Sequence, residues 1–343
     1  MEKVTNPPEY FGALSSIRTT TGRRRYEEDY DNEGVRTVLS IDPFVRDVGK
    51  ILASKAFRRL SDKAQVVVNP KNPHTRNRIT HTAEVVACAM RIAEILGLNT
   101  NLVQAISWGH DVGHVPFGHV GEEYISRRTS KPFKHEIMGV VIAQRVERHG
   151  RGLNLTHEVL SGMYQHGGGL KVSDGMTPEA RVVRIADKIA YLTADFNDLW
   201  RFHYTPSSEL NSLVNSFGEN QRKRVATLTD ALCRESAQRG NVQFSDSDEA
   251  KRFGRLRELM YEAYVKVCSQ NPSRVLGPVY DFLESQKSFD PALALSLMTD
   301  HDVIRLSGTP LLSASDLYDT ALGDLMDFLP DLRVDCCNPD LDW

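Results

Sequence analysis

The sequence predicts an all-α fold. Apolar residues recur at helical rather than strand spacing through most of the 343 residues. No internal repeat or low-complexity segment interrupts this pattern. Glycine and proline stand where helices are expected to end or begin, as at Gly97 and Pro178. We therefore expect a helical bundle core with additional helices in the C-terminal part of the chain.

The helices can be placed one by one. Before residue 205 they are predicted over residues 79–96, 101–113, 137–149 and 178–200, with another beginning after a tight loop at 114–122. Asn99 or Thr100 caps the second helix, Pro116 blocks its continuation, and Thr177 caps the last. A flexible glycine loop is expected over 165–177. Beyond residue 205, helices are predicted over residues 209–237, 248–268, 291–298 and 314–328.

Composition excludes several classes of protein. Charged residues make up 25% of the chain, hydrophobic residues 41%, and the formal net charge is −3, so overall charge gives no argument for nucleic-acid binding. The basic runs at 23–25 and 55–59 are expected to be mostly solvated faces. Five scattered cysteines without a C-x-x-C pair argue against a disulfide framework or a cysteine zinc site. Because neither a secretory signal nor a membrane-spanning segment is recognisable, we expect a cytoplasmic protein without a membrane partner.

Histidines are concentrated in one part of the chain. Six of the eleven lie between residues 74 and 135. A single histidine in a helical protein is usually a surface residue or a satisfied core residue, but the adjacent pair His110 and Asp111 offers an imidazole nitrogen and a carboxylate together. His81 and Asp187 are the natural partners from other helices. We predict that these four residues bind a divalent metal ion.

Asp187 supports this prediction independently. It lies in a strongly apolar helical segment, where burial of an unpaired carboxylate would cost several kcal/mol. An ordinary ion pair with Lys188 is the alternative explanation. Asp187, Tyr191, Asp195 and Asp198 also share one face of the helix, and a polar stripe on a buried helix usually faces a cavity.

Four segments carry a resemblance to a known family. They are AFRRLSDKAQV (56–66), NRITHTAEV (77–85), GHDVGHVPFGHVGEE (109–123) and EARVVRIADKIAYLTADFNDL (179–199). With the order H...HD...D, they resemble the dGTP triphosphohydrolase branch of the HD-domain phosphohydrolases over roughly residues 15–200. The resemblance implies an HD-domain core at 41–205, an N-terminal arm at 1–40, and a helical C-terminal extension at 206–343 packed on the core.

The resemblance also implies roles for individual residues. His81, His110, Asp111 and Asp187 would hold the metal, and His119 with Glu122 would form the acid/base or nucleophile-positioning pair. His135 matches a histidine near the triphosphate in animal relatives, and His114 would line the phosphate pocket or support it. The implied substrate-binding residues are Arg78 and Lys188 for the phosphates, Tyr191 and Asp195 for the sugar 3'-hydroxyl and the exclusion of ribonucleotides, and Gln65 for the sugar.

One departure from the family concerns the later part of the chain. The motif DYIAGMTD has no clear counterpart, although SLMTDHDVIRL (296–306) occupies a comparable region. The resemblance further implies a homo-oligomer, while nucleic acid as a regulator is left open. The metal is also left open among manganese, magnesium, iron, cobalt, nickel and zinc.

Three hypotheses about function follow. The first is hydrolysis of a deoxynucleoside triphosphate, dGTP preferred by resemblance, to deoxynucleoside and inorganic triphosphate. The second is another HD phosphohydrolase, such as a deoxynucleoside monophosphatase or an alarmone hydrolase, which product identification would reveal. The third is a nucleotide-sensing or nucleic-acid-binding regulator with an inert site, for which salt-dependent binding that survives Asp111→Ala would be the indication.

Overall fold

The computed structural model describes residues 9–26, 42–68, 70, 72–168, 175–267 and 273–343. Over these ranges the chain is helical, and pairing of extended segments is limited to isolated bridges between Arg24 and Thr156 and between Ala64 and Asn77. The all-α prediction is therefore confirmed. Cys268, residues 169–174 of the predicted glycine loop, and most of the predicted N-terminal arm lie outside the described residues.

Eight helices build the part of the fold that positions the site. They are α1 Pro43–Leu52, α2 Lys55–Arg59, α3 Arg78–Leu96, α4 Thr100–Gly109, α5 Gly118–Thr129, α6 His135–Val141, α7 His157–Gln165 and α8 Pro178–Arg201. Asn77 caps α3, which ends at Gly97 with φ of 76°, a left-handed conformation that glycine adopts without strain. Thr177 caps α8 by accepting a hydrogen bond from the amide of Ala180.

Helices α3, α4 and α8 form the centre of the core. α3 packs along both α4 and α8, while α1 and α7 cover the other faces of α4. The contacts are made by fully buried apolar side chains such as Ile92, Ile106 and Ile189. Burying this apolar surface is the main source of stability. This packing brings the first turn of α3, the end of α4 and the middle of α8 together.

Six further helices follow in the C-terminal part. They are α9 Ser208–Phe217, α10 Gln221–Arg239, α11 Asp248–Val267, α12 Ser273–Gln286, α13 Pro291–Ser296 and α14 Asp300–Ser307. α10 packs on α3 and α8, α11 on α8 and α9, and α12 on α13, α14 and α5. The division at residues 40 and 205 stays a prediction. No helix in the described ranges combines the length and apolar character needed to cross a membrane.

Several element predictions were wrong in detail. The single helix predicted over 209–237 is two helices, because the φ of 151° at Gly218 is incompatible with a continuous helix. The helix predicted over 314–328 consists of short 3-10 turns. The helix predicted over 101–113 ends at Gly109, and the one predicted over 137–149 begins at His135 and finishes in a π-helical turn, Ile142–Val146.

One arginine in each basic run differs from the prediction of a solvated face. Arg59 is buried, and Arg24 forms an ion pair with the buried carboxylate of Asp47 at 2.6 Å. Both arginines therefore belong to the packed structure.

Candidate active site

The predicted metal ligands converge from three elements. His81 lies in the first turn of α3, His110 and Asp111 directly follow α4, and Asp187 lies in the middle of α8. The Nε2 atom of His81 is 3.1 Å from Oδ1 of Asp187, and Nε2 of His110 is 3.5 Å from Oδ1 of Asp111 and 3.8 Å from Oδ1 of Asp187. Ligand atoms of His81, His110 and Asp111 all lie within 4.8 Å of one another. This His/Asp cluster could hold a metal ion.

The chemistry of the donor atoms fits a divalent metal. His110 Nδ1 lies 2.7 Å from the carbonyl oxygen of Ser107, and donation to that oxygen leaves the lone pair on Nε2. This Nε2 is buried and has no hydrogen-bond partner among the described residues. Such an atom is costly to bury unless it binds a ligand. Two imidazoles with two carboxylates form a donor set suited to first-row divalent metals.

Both carboxylates are ionised in this cluster. Burial alone raises the pKa of Asp187, but the hydrogen bond to His81 and the positive charge of Lys188 hold it below its usual value. Burial opposes ionisation of Asp111 as well, and His110, His114 and Arg78 keep its pKa well below the usual range. Two negative charges therefore face two imidazoles in a buried site, which is the electrostatic arrangement that attracts a cation.

Glu122 of α5 organises a second group of histidines. Its Oε1 atom lies 2.8 Å from Nδ1 of His135 and 3.3 Å from Nδ1 of both His119 and His114. The His119 side chain is 68% exposed, whereas the Glu122 side chain is 12% exposed. The largely buried Glu122 carboxylate thus contacts the exposed imidazole of His119, which is the arrangement needed in an acid/base pair.

The charge states of this second group follow from its hydrogen bonds. Burial disfavours the charged form of Glu122, but His135 and His119 hold the pKa of the carboxyl well below its usual range. Burial also lowers the pKa of His135, and the Glu122 carboxylate outweighs this effect and raises the pKa to about 9. At neutral pH the pair is therefore a carboxylate and an imidazolium.

Sequence reasoning missed His166, which follows α7. Its Nδ1 donates to the carbonyl oxygen of Met163 at 2.6 Å, so its Nε2 accepts a hydrogen bond from Nε2 of His135 at 3.0 Å. Its ring also packs edge-on against His110, with 5.0 Å between centroids. The three glycines that follow this residue had favoured a flexible loop. The apolar spacing of Val159, Leu160 and Met163 was the signal for a helix ending beside it.

One cavity of about 560 Å³ connects these groups. Every predicted site residue lines it except His110 and Glu122, which lie behind residues that do. The predicted residues brought together at the wall are His81, Asp111, His114, His119, His135, Arg78, Lys188, Gln65, Asp187, Tyr191 and Asp195. Asp198, the last member of the polar stripe, instead forms an ion pair with Arg76 at 3.1 Å.

The basic residues of the cavity are held by identifiable partners. Nη1 of Arg78 donates to Oδ2 of Asp111 at 3.0 Å. Lys188 donates to the carbonyl oxygens of His166 and Arg184, at 3.3 Å and 3.1 Å, and lies 3.7 Å from Oδ2 of Asp187. Both side chains therefore lie beside the cluster of His81, His110, Asp111 and Asp187, which we call the metal-type cluster. An anionic group bound at this cluster would contact both of them.

A tyrosine cluster forms another part of the wall. Tyr264 of α11 donates to Oδ2 of Asp195 at 2.9 Å, and the hydroxyls of Tyr191 and Tyr261 are 3.5 Å apart. Oδ1 of Asp195 is buried without a partner among the described residues, and burial raises the pKa of this carboxyl to about 7. Neither α11 tyrosine was predicted from the sequence, because only the packing of α11 on α8 brings them to the site.

Comparison with known proteins agrees with this geometry. The model of the HD domain family matches residues 78–192, which span the histidine and aspartate cluster from His81 to Asp187. The match defines the class as HD-domain hydrolases, the phosphohydrolase group in which such clusters bind divalent metals.

Similar proteins narrow the class to one family. A deoxyguanosinetriphosphate triphosphohydrolase-like protein of Caldanaerobacter subterraneus subsp. tengcongensis is 40% identical over 229 residues, which cover 66% of this chain and 64% of the relative. The protein of the same description in Clostridium tetani is 37% identical over 254 residues, covering 72% of this chain and 71% of the relative. That of Desulfatibacillum aliphaticivorans is 39% identical over 214 residues, or 60% and 61% of the two chains. The chain belongs to the family of deoxyguanosinetriphosphate triphosphohydrolase-like proteins, although it matches less than two thirds of the length of the first and third of these relatives.

Proposed function

We propose that this protein hydrolyses a deoxynucleoside triphosphate, with dGTP preferred, to a deoxynucleoside and inorganic triphosphate. The observation that carries the proposal is that a metal-type cluster, a carboxylate-held histidine and a tyrosine–aspartate wall line or directly support one cavity. The three features correspond to the phosphoryl group, the leaving oxygen and the sugar of such a substrate. The preference for dGTP comes from the names of the relatives alone.

His81, His110, Asp111 and Asp187 would hold the metal. When bound, a divalent ion there supplies Lewis-acid polarisation of the phosphoryl group and lowers the pKa of a water molecule. In the proposed reaction a bond forms between the water oxygen and the α-phosphorus, and the bond from the α-phosphorus to the 5'-oxygen breaks. Arg78 and Lys188 bind the phosphates, to which their positive charges are suited.

The proton required by the leaving 5'-oxygen comes from His119 in this proposal. The exposed ring reaches the cavity, while its Nδ1 is held by Glu122 at 3.3 Å. A carboxylate in this position orients the imidazole, so that the outer nitrogen can act as the donor. His135 adds a positive charge behind Glu122, and His114, stacked on it with 3.7 Å between ring centroids, fills the wall beside it.

Sugar recognition is assigned to the wall formed by α8 and α11. Oδ2 of Asp195 accepts from Tyr264, which leaves the buried Oδ1 to accept from a sugar 3'-hydroxyl. Tyr191 occupies the adjacent space, and its ring would crowd a 2'-hydroxyl. Gln65, whose buried Oε1 also has no partner among the described residues, completes the proposed sugar site.

Two further expectations about the protein stay proposals. We propose a homo-oligomer and a cytoplasmic location, both from the family resemblance. Light scattering coupled to size-exclusion chromatography would measure the number of subunits, and a monomer at micromolar concentration would contradict the first expectation.

Product identification tests the proposed reaction. The purified protein is incubated with each of the four deoxynucleoside triphosphates and with GTP, in the presence of manganese or magnesium, and the products are separated by ion exchange. We expect deoxynucleoside and intact triphosphate, fastest from dGTP and slowest from GTP. Asp187→Ala, prepared in the same way, controls for contaminating phosphatases. Release of phosphate or pyrophosphate would move the chain to another class of HD phosphohydrolase, and no turnover with any first-row divalent metal would contradict the proposal.

A further inference from the structure

Asp300, the first residue of α14, reaches the loop that carries the site residues. Its side chain is buried, and Oδ1 accepts a hydrogen bond from the amide of Phe117 at 2.8 Å. Oδ2 accepts from the amide of Ala64, also at 2.8 Å. Phe117 and Ala64 both line the cavity, whereas Asp300 lies behind its wall. One carboxylate from the C-terminal part of the chain therefore joins two backbone segments of the candidate active site.

The backbone of the loop is strained at the residue that donates to Asp300. Phe117 has φ of 64°, a left-handed conformation that costs a non-glycine residue about 1–3 kcal/mol. It directly precedes α5 and makes no side-chain cap for that helix. Loss of the Asp300 acceptor would leave the Phe117 amide without its hydrogen bond. The backbone before His119 would then relax toward an unstrained conformation.

A second contact ties the same segments together. Lys63 is fully buried, and its Nζ donates to the carbonyl oxygen of His114 and, at 3.2 Å, to that of Ser296. Ser296 ends α13, four residues before Asp300. The loop is thus connected to this C-terminal segment in two places. The carbonyl of His114 is linked to it through Lys63, and the amide of Phe117 binds Asp300 directly.

We propose that Asp300 is a positioning residue for the catalytic loop, and that the C-terminal helices α13 and α14 thereby complete the active site. Asp300 touches neither the cavity nor the metal-type cluster, so its effect on turnover passes through the backbone that carries His114 and His119. The kinetic part of this inference rests on the proposed triphosphohydrolase function. The structural part does not, because it concerns the conformation of the loop itself.

Asp302 offers a matched control on the same helix. It is buried to a similar degree, and its Oδ2 accepts from the amides of Thr299 and Ala321 at 3.0 Å and 3.1 Å. Both of these amides belong to the C-terminal part of the chain. Asp302→Asn therefore perturbs the packing of α14 without removing a contact to the catalytic loop, whereas Asp300→Asn places an amide donor opposite one of the two backbone donors of the site.

The experiment compares these two variants with the wild type in the full-length protein. For Asp300→Asn we expect kcat to fall by about tenfold or more, KM to change by less than about twofold, and metal content to stay unchanged, since misplaced catalytic groups lower turnover. Hydrogen exchange, followed by mass spectrometry, should accelerate in peptides that contain Phe117. For Asp302→Asn, kcat per folded molecule and exchange at Phe117 should both stay close to wild type, even where the melting temperature falls.

Strain relief provides a second readout. Glycine adopts a φ of 64° without cost, so Phe117→Gly should make the loop less dependent on Asp300. In a double-mutant cycle, the loss of kcat caused by Asp300→Asn should be smaller in the Phe117→Gly background. If Asp300→Asn does not fold, Asp300→Ser replaces it, because serine is smaller and places no amide group opposite a backbone donor.

Each outcome separates this inference from the proposed function. Equal kcat values and equal exchange rates for Asp300→Asn and Asp302→Asn would overturn the positioning role. If the wild type turns over no nucleotide, the proposed function fails. The exchange comparison still decides whether Asp300 holds the loop, because accelerated exchange at Phe117 in Asp300→Asn alone supports that contact and unchanged exchange contradicts it.

Discussion

At the residue scale, the candidate site consists of two groups of histidines, each organised by carboxylates. Asp111 and Asp187 face His81 and His110, whereas Glu122 faces three other imidazoles. In the first group a lone pair is left without a partner, which favours a metal. In the second group the Glu122 carboxylate accepts hydrogen bonds from histidine rings, an arrangement that favours proton transfer. The proposed function therefore assigns metal binding to the first group and proton transfer to the second.

The two groups predict different mutant phenotypes. Asp187→Ala should remove bound metal and lower activity to background, because it deletes a proposed metal ligand whose carboxylate lies 3.1 Å from His81 and 3.8 Å from His110. His119→Ala should retain the metal and reduce kcat by about 10²–10⁴-fold, the usual contribution of a general acid. Metal content by atomic absorption, measured beside kcat, separates the two. A His119→Ala enzyme with a near-normal rate would rule out the assigned role.

The ion pair between His135 and Glu122 predicts a pH dependence of stability. The pKa of His135 is about 9 in the folded protein, above the ordinary value of 6.5. Its contribution is therefore fully present below pH 6.5 and is lost as the pH rises through 9, with an upper bound of roughly 3 kcal/mol. Urea unfolding of the metal-free protein at pH 6 to 10 should show a steeper loss of stability for the wild type than for His135→Gln. Parallel profiles would contradict the prediction.

At the element scale, local signals predicted the helices that carry the first group of ligands. The apolar spacing before Gly97, and the Thr177 cap before Pro178, define α3 and α8 within a few residues, because capping is decided by neighbours in sequence. His166 was missed because the following glycines suggested a loop. Tyr264 was missed, and Asp300 was noted only within the segment 296–306, because each reaches the site through packing between segments far apart in sequence, which no local pattern records.

A close approach between the loop after α4 and the start of α6 predicts the effect of one added methyl group. A Cβ at Gly113 would lie 2.1 Å from the amide nitrogen of Gly139 and 2.1 Å from the carbonyl oxygen of His135. Gly113→Ala must therefore push α6 away, and we expect a loss of about 1–3 kcal/mol or more of stability. Because His135 would move away from Glu122, kcat should fall as well. Urea unfolding and steady-state kinetics measure the two effects.

A glycine in α1 provides the control for this substitution. Gly49 is exposed in a helix interior, and a Cβ there would meet no atom within 4 Å. Gly49→Ala should therefore increase stability by about 0.5–1 kcal/mol, since alanine is the better helix former. If Gly113→Ala proves as harmless as Gly49→Ala, the two segments are not as closely packed as described.

At the scale of the whole molecule, residues distant in sequence are joined through a few buried polar contacts. Besides Asp300, the buried carboxylate of Asp47 in α1 receives Nη1 of Arg24 and both the amide and the hydroxyl of Thr156. Arg24 also donates to the carbonyl oxygens of Asn154 and Pro43. The segment before α1 is thus connected both to α1 and to the chain that enters α7, and both of these helices pack against α4.

This network predicts a large loss of stability for Arg24→Ala. The substitution leaves the Asp47 carboxylate buried without its cation, and removal of one partner of a buried ion pair typically costs about 3–5 kcal/mol. Burial already raises the pKa of Asp47. Because this pKa is higher in the folded protein than in the unfolded chain, ionisation of Asp47 reduces the stability as the pH rises. The loss of stability caused by Arg24→Ala should therefore be smaller at pH 5 than at pH 8. Urea unfolding at the two pH values measures both quantities.

Two further variants show whether the buried charge is the cause. Arg23→Ala removes a neighbouring side chain that lies 5.6 Å from the ring of Trp343, and this exposed type of contact contributes only about 0.5–1 kcal/mol. In the double variant Arg24→Ala with Asp47→Asn, the uncompensated charge is gone while the contacts to Thr156 can partly persist. The double variant should therefore be more stable than Arg24→Ala alone. A double variant that is less stable, or an Arg24→Ala loss no larger than that of Arg23→Ala, would show that the arginine acts through packing rather than by neutralising Asp47.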